Sequence, residues 1–196
     1  MEITLIRHGR STLTNKDKMT LKEFNQWVEK YDKAGVLEED VYPLQTRKKI
    51  EQANQILTSD FKRSIQSAEL LHPNATSISD SLFRETELPR SLPIVKGIKL
   101  NPGMWAVLLR CLWLAGYSRD CESMKEAKTR AGKAAEVLVE QAKKHFSVVL
   151  IGHGFLNRFI GNELHQKGLK RNERTSSKHW HATTYTLFNA RMQLNH

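Results

Sequence analysis

Disulfides and structural metal are the first things this chain is not built for. It holds two cysteines, Cys111 and Cys121, in a spacing that fits neither a zinc-ligand pair nor a redox pair. They read as reduced thiols, and no basic leader or cleavage site precedes the first apolar segment, so the expectation is a cytoplasmic protein. Long apolar runs are missing too. The longest, "MWAVLLRCLWLAG" (Met104–Gly116), is broken by Arg110 and is too short to span a bilayer. With five prolines and ten glycines among 196 residues, no linker, repeat or low-complexity tract divides the chain. A single domain of 1–196 is expected, long enough to bury a core.

Acidic residues are also in deficit. Lys and Arg number 31 against 21 Asp and Glu, giving a formal net charge of +10. Such a surface attracts anions: nucleic acid, a membrane or a small phosphorylated molecule. Zinc-finger spacing, an RNP-like aromatic motif and repeats are all absent, so the charge narrows the partner to something anionic and goes no further.

Five short β-branched or apolar stretches read as strands: Ile3–Ile6, Gln55–Ser59, Thr76–Ser79, Val148–Ile151 and Thr184–Phe188. Helix-like segments alternate with them. One follows Thr20, a plausible N-cap, and places Leu21, Phe24, Val28 and Tyr31 on one face. Another carries Phe61, Ile65, Ala68 and Leu71. A long amphipathic segment opens on Ser123 with Glu126 three residues later, the spacing of a capping box. The alternation predicts an α/β fold, a three-layer sandwich with a mostly parallel central sheet flanked by helices. Residues 86–122, with Pro89, Pro93, Pro102 and a Trp-rich helix, read as a cap-like insertion, with a plain core helix as the alternative.

The chemistry gathers where strands end. "LIRHG" presents Arg7, His8 and Gly9; "LTSDFKRS" presents Ser59, Asp60 and Arg63; "LIGHGF" presents His153 between two glycines; "LFRETELP" presents Glu85 and Glu87. In open α/β sheets, ligands bind at the carboxyl ends of the strands, so parallel strands would bring these residues to one edge. Two arginines can clamp a phosphoryl group without losing charge. A neutral imidazole is a nucleophile toward phosphorus when its other nitrogen donates to a carbonyl. A second, cationic imidazole would stabilise the transferring group, and a protonated carboxyl would serve the leaving oxygen. Gly9 would let the chain turn sharply and bring N–H groups to an oxyanion.

"RHG" on the first strand, "SDFKRSIQSA" and a late "GHG" together resemble the histidine phosphatase superfamily, the phosphoglycerate-mutase-like proteins, over nearly the whole chain. The resemblance implies a phosphoglycerate-mutase-like fold and a metal-independent, cofactor-free phosphatase acting on phosphate monoesters. His8 would then be the nucleophile that forms a phosphohistidine, Glu85 the general acid, and His153 a further catalytic and phosphate-binding residue. Arg7, Arg63 and Ser11 would bind phosphate. Arg10, Trp105 and Trp113 are candidate specificity residues, the two tryptophans as lining of a cover that selects the organic half of the substrate. The family's usual "LTxxGxxQA" segment is replaced here by "NKDKMTLKEFNQWVEKYDKAGVLEED", and Pro89 stands where its acid motif has glycine. These departures leave substrate identity open. The alternatives are a phosphoglycerate-mutase-type phosphotransferase and a non-catalytic phosphate-ligand binding protein. "KHWH" (Lys178–His181) reads as structural rather than as a metal pair, and "HQKGLKRNER" as a solvated basic run.

Overall fold

The computed structural model describes residues 1–93, 97–171, 176 and 178–187. Phe188, the end of the last expected strand, lies outside them, as do Asn172, Glu173 and Arg174 of the basic run. The elements run β1 (Glu2–Arg7), α1 (Leu21–Lys33), α2 (Leu44–Glu51), β2 (Gln55–Thr58), α3 (Lys62–Leu71), β3 (Ser77–Ser79), α4 (Pro102–Leu114), α5 (Met124–His145), β4 (Ser147–Gly152), α6 (Gly154–Gln166), β5 (Leu169–Arg171) and β6 (Ala182–Leu187). A 3-10 turn, Ser81–Phe83, follows β3.

The six strands form one sheet in the order β3-β2-β4-β1-β6-β5. β3, β2, β4 and β1 are parallel, and β6 runs against both β1 and β5. The two strands at the centre, β4 and β1, are buried on both faces and largely apolar because both faces are covered. Ile3 and Leu5 pack with Val148 and Leu150 against α5 and α6. Ile6 packs with Val149 and Ile151 against Ile50 of α2 and Ala68 and Leu71 of α3. Three layers result.

Capping chemistry sets the helix starts. Thr20 and Ser123 close reciprocal capping boxes with Glu23 and Glu126, as their spacing predicts. Two elements were not legible. β5 lies inside the basic run as a short, charged edge strand carrying Lys170 and Arg171. α2 has only Thr46 and Ile50 buried among charged neighbours and no side-chain N-cap.

A third core stands off the sheet. Phe24 of α1 packs against Trp105 and Leu109 of α4, with Met19 beside them. Met19 and Leu100 pair as an antiparallel bridge, and Trp105 Nε1 donates to Met19 O at 2.7 Å. This core joins α4, from residues 86–122, to α1, from the segment after the first strand. Among the described residues no helix is long and apolar enough to cross a membrane.

Candidate active site

Strand register fixes the site. Arg7 lies opposite Gly152, and Thr58 opposite both Ile151 and Ser79, so the chain leaves β1, β2, β3 and β4 at one edge. His8 N donates to Gly152 O at 3.1 Å and Ser59 N to Ile151 O at 3.4 Å, prolonging the ladder into the loops. His8 and His153 consequently stand side by side, ring centroids 4.9 Å apart at 61°.

His8 is in one tautomer. Its Nδ1 lies 2.7 Å from Gly9 O, and a carbonyl only accepts, so Nδ1 carries the proton. Nε2 is left with its lone pair, toward which Arg63 Nε donates at 3.3 Å. Burial pushes the His8 pKa well below the ordinary histidine value, and the charge of Arg63 pushes the same way. The ring is thus neutral, with the nucleophilic nitrogen facing the guanidinium.

His153, fully buried, N-caps α6 and shares a 2.7 Å hydrogen bond between its Nε2 and Ser59 Oγ. Its Nδ1 has no hydrogen-bond partner among the described residues. The sequence leads one to expect a cation here. Burial first, then His8, Arg63 and Arg7, hold its pKa well below the usual range. A phosphoryl dianion beside it would act in the opposite direction.

Arg63 joins both elements of the site. Its side chain is 3% exposed, and its guanidinium lies between the rings of Tyr31 and Phe61, 4.6 Å from each centroid. Nη1 donates to Tyr31 O and Asp32 Oδ1, both at 3.1 Å. Arg7 runs past Gly154, where an added Cβ would lie 3.6 Å from its Nε, and its charge reaches both histidines.

Glu85 is tied to the helix that follows His153. Phe155 N donates to its Oε2 at 3.0 Å, and Leu156 N and Thr86 N donate to its Oε1 at 2.9 and 2.8 Å. Glu87 instead accepts from Glu122 N, away from α6. Ser11 is buried, accepts from Leu13 N and pairs its backbone with Val36. Arg10 points outward and ion-pairs with Glu39 at 3.2 Å.

A cavity of about 650 Å³ opens on the far side of Arg63. α1 supplies Trp27, Val28 and Tyr31 to its wall, α4 supplies Pro102, Gly103, Ala106 and Arg110, and Glu85 and Arg90 complete the mouth. Trp105 and Trp113 do not line it, which corrects their assignment as specificity residues. Both are fully buried, and Trp113 Nε1 is satisfied by Glu122 O. Positions 105, 109 and 113 form the core stripe of α4, while 102, 106 and 110 form the neighbouring stripe that faces the cavity.

Sequence reasoning missed four participants. Asp32, in the segment that departs from the family pattern, holds Arg63. His179 donates from Nδ1 to His8 O at 2.9 Å, its ring 5.5 Å from that of His8. Trp180 presses on Gly9, where an added Cβ would meet its ring at 2.1 Å. Gly9 is therefore required for room. Its N–H is occupied by Ser67 Oγ at 2.9 Å, so the oxyanion role expected for that amide is not displayed. The signal for Ser67 was present in "RSIQS", because Arg63, Ser64 and Ser67 share one buried polar face of α3.

The comparisons agree with this fold. The model of the histidine phosphatase superfamily (branch 1) matches residues 43–195. Mycobacterial glucosyl-3-phosphoglycerate phosphatase superposes with a TM-score of 0.54 at 19% identity, over 83% of this chain and 78% of that one. A mutant phosphoserine phosphatase from Entamoeba histolytica, solved with phosphoserine, gives 0.54 at 13% identity over 93% and 89%. A Thermus thermophilus protein gives 0.54 at 19% identity over 94% and 92%. At these identities the likeness is one of fold. No curated protein matches the chain.

Proposed function

The chain belongs to the histidine phosphatase superfamily, and from that premise we propose that it hydrolyses phosphate monoesters through a phosphohistidine on His8. The observation that carries the proposal is the tautomer. With Nδ1–H donating to Gly9 O, the Nε2 lone pair is the only nucleophilic position on a ring that burial keeps neutral. The mycobacterial and amoebic neighbours are named as phosphatases of phosphorylated small molecules, which supports the same substrate class.

In the first step Nε2 attacks phosphorus and the bond from phosphorus to the ester oxygen breaks. Arg63, turning its Nε–H from Nε2 to a phosphoryl oxygen, and Arg7 balance the charge, with Ser11 contributing from the adjoining loop. His153, whose ring lies beside His8 and whose Nδ1 has no partner among the described residues, gains affinity for a proton as the dianion enters. The leaving oxygen takes a proton from Glu85. Among the described residues Oε2 of that carboxyl accepts one hydrogen bond, from Phe155 N, and so keeps a second position for a proton. In the second step water attacks phosphorus, the bond to Nε2 breaks, and the proton released by water returns to Glu85. Every atom is accounted for without a metal or cofactor.

The test is release of inorganic phosphate from a panel of monoesters by the native protein and by His8→Ala. Turnover of at least one ester by the native protein only is expected. Equal turnover by the variant would end the proposal, and transfer to a second substrate hydroxyl with no free phosphate would install the mutase-type alternative.

A further inference from the structure

The cavity beyond Arg63 is too large for a phosphoryl group alone, and its charges are unevenly committed. At about 650 Å³ it falls in the range that encloses an organic molecule of many atoms. Most of its charged groups already have partners. Asp32 sits on Arg63, Arg84 on Asp60, Arg130 on Glu122, and Arg110 donates to Thr86 O and Glu87 O. Glu85 and Glu87 accept backbone N–H groups. Two charged lining side chains have no hydrogen bond or ion pair among the described residues: Arg90, and Glu29 on the exposed side of α1.

The place of Arg90 is fixed by α1. Asn25 Nδ2 donates to Arg90 O at 2.8 Å, and Arg90 N donates to Arg119 O at 3.2 Å. Arg63 is held at the other end of the same helix by Tyr31 O and Asp32. Asn25 and Asp32 are seven residues apart, which is two turns and about 10 Å of helix on one face. Between them the wall is apolar and aromatic apart from Glu29. Trp27 stacks on Phe24 and on Tyr31, at 5.8 and 5.0 Å between centroids and 16° and 23° between planes, with Val28 alongside. The charge of Arg90 is felt at Asp32, so the two ends share one electrostatic space.

We propose that the cavity selects phosphate monoesters whose organic half is an apolar or aromatic span ending in a second anionic group, about two helical turns from the phosphoryl group. The phosphoryl end meets Arg63 and His8, the span lies on Trp27, Val28 and Tyr31, and a carboxylate or second phosphate meets Arg90. Glu29, on the exposed side of the wall, disfavours an anion that stops short of Arg90. This rests on the phosphatase reading for the identity of the phosphoryl end. It goes further in naming what the other end must carry.

The test uses non-hydrolysable phosphonates, so that binding is read independently of turnover. Three probes suffice: ethylphosphonate, a phenylalkylphosphonate spanning about 10 Å, and the same molecule with a terminal carboxylate. The native protein should bind the second more tightly than the first. The carboxylate should tighten binding by about tenfold more, as expected for a charge-assisted contact. Arg90→Ala should collapse the ratio of the last two affinities to about one, and Arg90→Lys should restore part of it. Trp27→Ala should shrink the gap between the first two. A carboxylate that weakens or does not change native binding overturns the proposal, as does an Arg90→Ala variant that keeps the full ratio. Arg90-dependent selection in a protein that releases no phosphate from any ester would instead overturn the phosphatase reading alone.

Discussion

Replacing Asp32 by asparagine should make the protein bind phosphate more tightly. Asp32 Oδ1 lies 3.1 Å from Arg63 Nη1, while the Nε side of the same guanidinium faces His8. A phosphoryl group on the Nε side would therefore sit about 6 Å from the Asp32 carboxylate, one guanidinium width plus a hydrogen bond away. At an effective dielectric near 20, that separation costs about 3 kcal/mol for each unit of charge. Asp32 is 35% exposed, so solvent screening removes much of this, and the loss of its hold on Arg63 removes more. A net gain of about 1–1.5 kcal/mol remains, or roughly tenfold in affinity. Asparagine keeps an acceptor for Nη1, so the guanidinium stays in place between Tyr31 and Phe61. The assay is the inhibition constant of inorganic phosphate, repeated with vanadate, near neutral pH, where it should fall about tenfold. A rise in both constants would refute the reasoning and make Asp32 a residue whose charge is needed to position Arg63. Burial raises the Asp32 pKa above its ordinary 3.8, with Arg63 opposing. The folded state thus keeps this proton to higher pH than the unfolded chain does. Stability from this group declines as pH rises through that window, and the asparagine variant should lack the decline.

Glu85→Gln should slow hydrolysis of alkyl phosphates by about a hundredfold and of nitrophenyl phosphate far less, because only the alkoxide needs the proton; equal losses would make Glu85 a binding or structural group, and a leaving-group-dependent loss in Glu87→Gln would move the assignment. The pKa values of His8 and His153 lie well below 6.5, so the acid limb of kcat/KM should fall well below that pH. The same two groups contribute stability that is complete above 6.5 and is lost as pH falls toward their depressed values, which thermal melts across this range would register. Gly9→Ala places a Cβ 2.1 Å from the Trp180 ring and should lower the melting temperature by about 5 °C, from overpacking of about 1–3 kcal/mol; an unchanged melt would mean that Trp180 gives way freely.

The parts of this fold that could be read in advance are those whose side chains repeat the geometry of the backbone. The central strands are continuous runs of β-branched residues and leucine because both faces of β1 and β4 are covered, and the capping boxes at Thr20 and Ser123 need only local spacing. His8, Ser59 and His153 were placed at strand ends by sequence, and parallel register brings them together. What could not be read depends on contacts between distant segments. Nothing near Asp32 marks it as the partner of Arg63, since that pairing exists only after α1 docks against α3. Trp105 and Trp113 share a helix with residues that do line the cavity, and composition cannot tell which stripe of α4 faces α1. His179 reads in sequence as half of a structural His-x-His pair, whereas its ring is used to reach the His8 carbonyl.

The central claim is that His8 Nε2 takes up the phosphoryl group. The most direct measurement is rapid acid-free quenching during turnover, followed by mass spectrometry of the peptide that contains His8 and by assignment of the modified nitrogen. The account predicts one phosphoryl group on His8, bonded at Nε2, labile in acid and stable in base, and absent from His8→Ala. An acid-stable phosphoryl group on a serine, a phosphoryl group at Nδ1, or label retained in His8→Ala would contradict it.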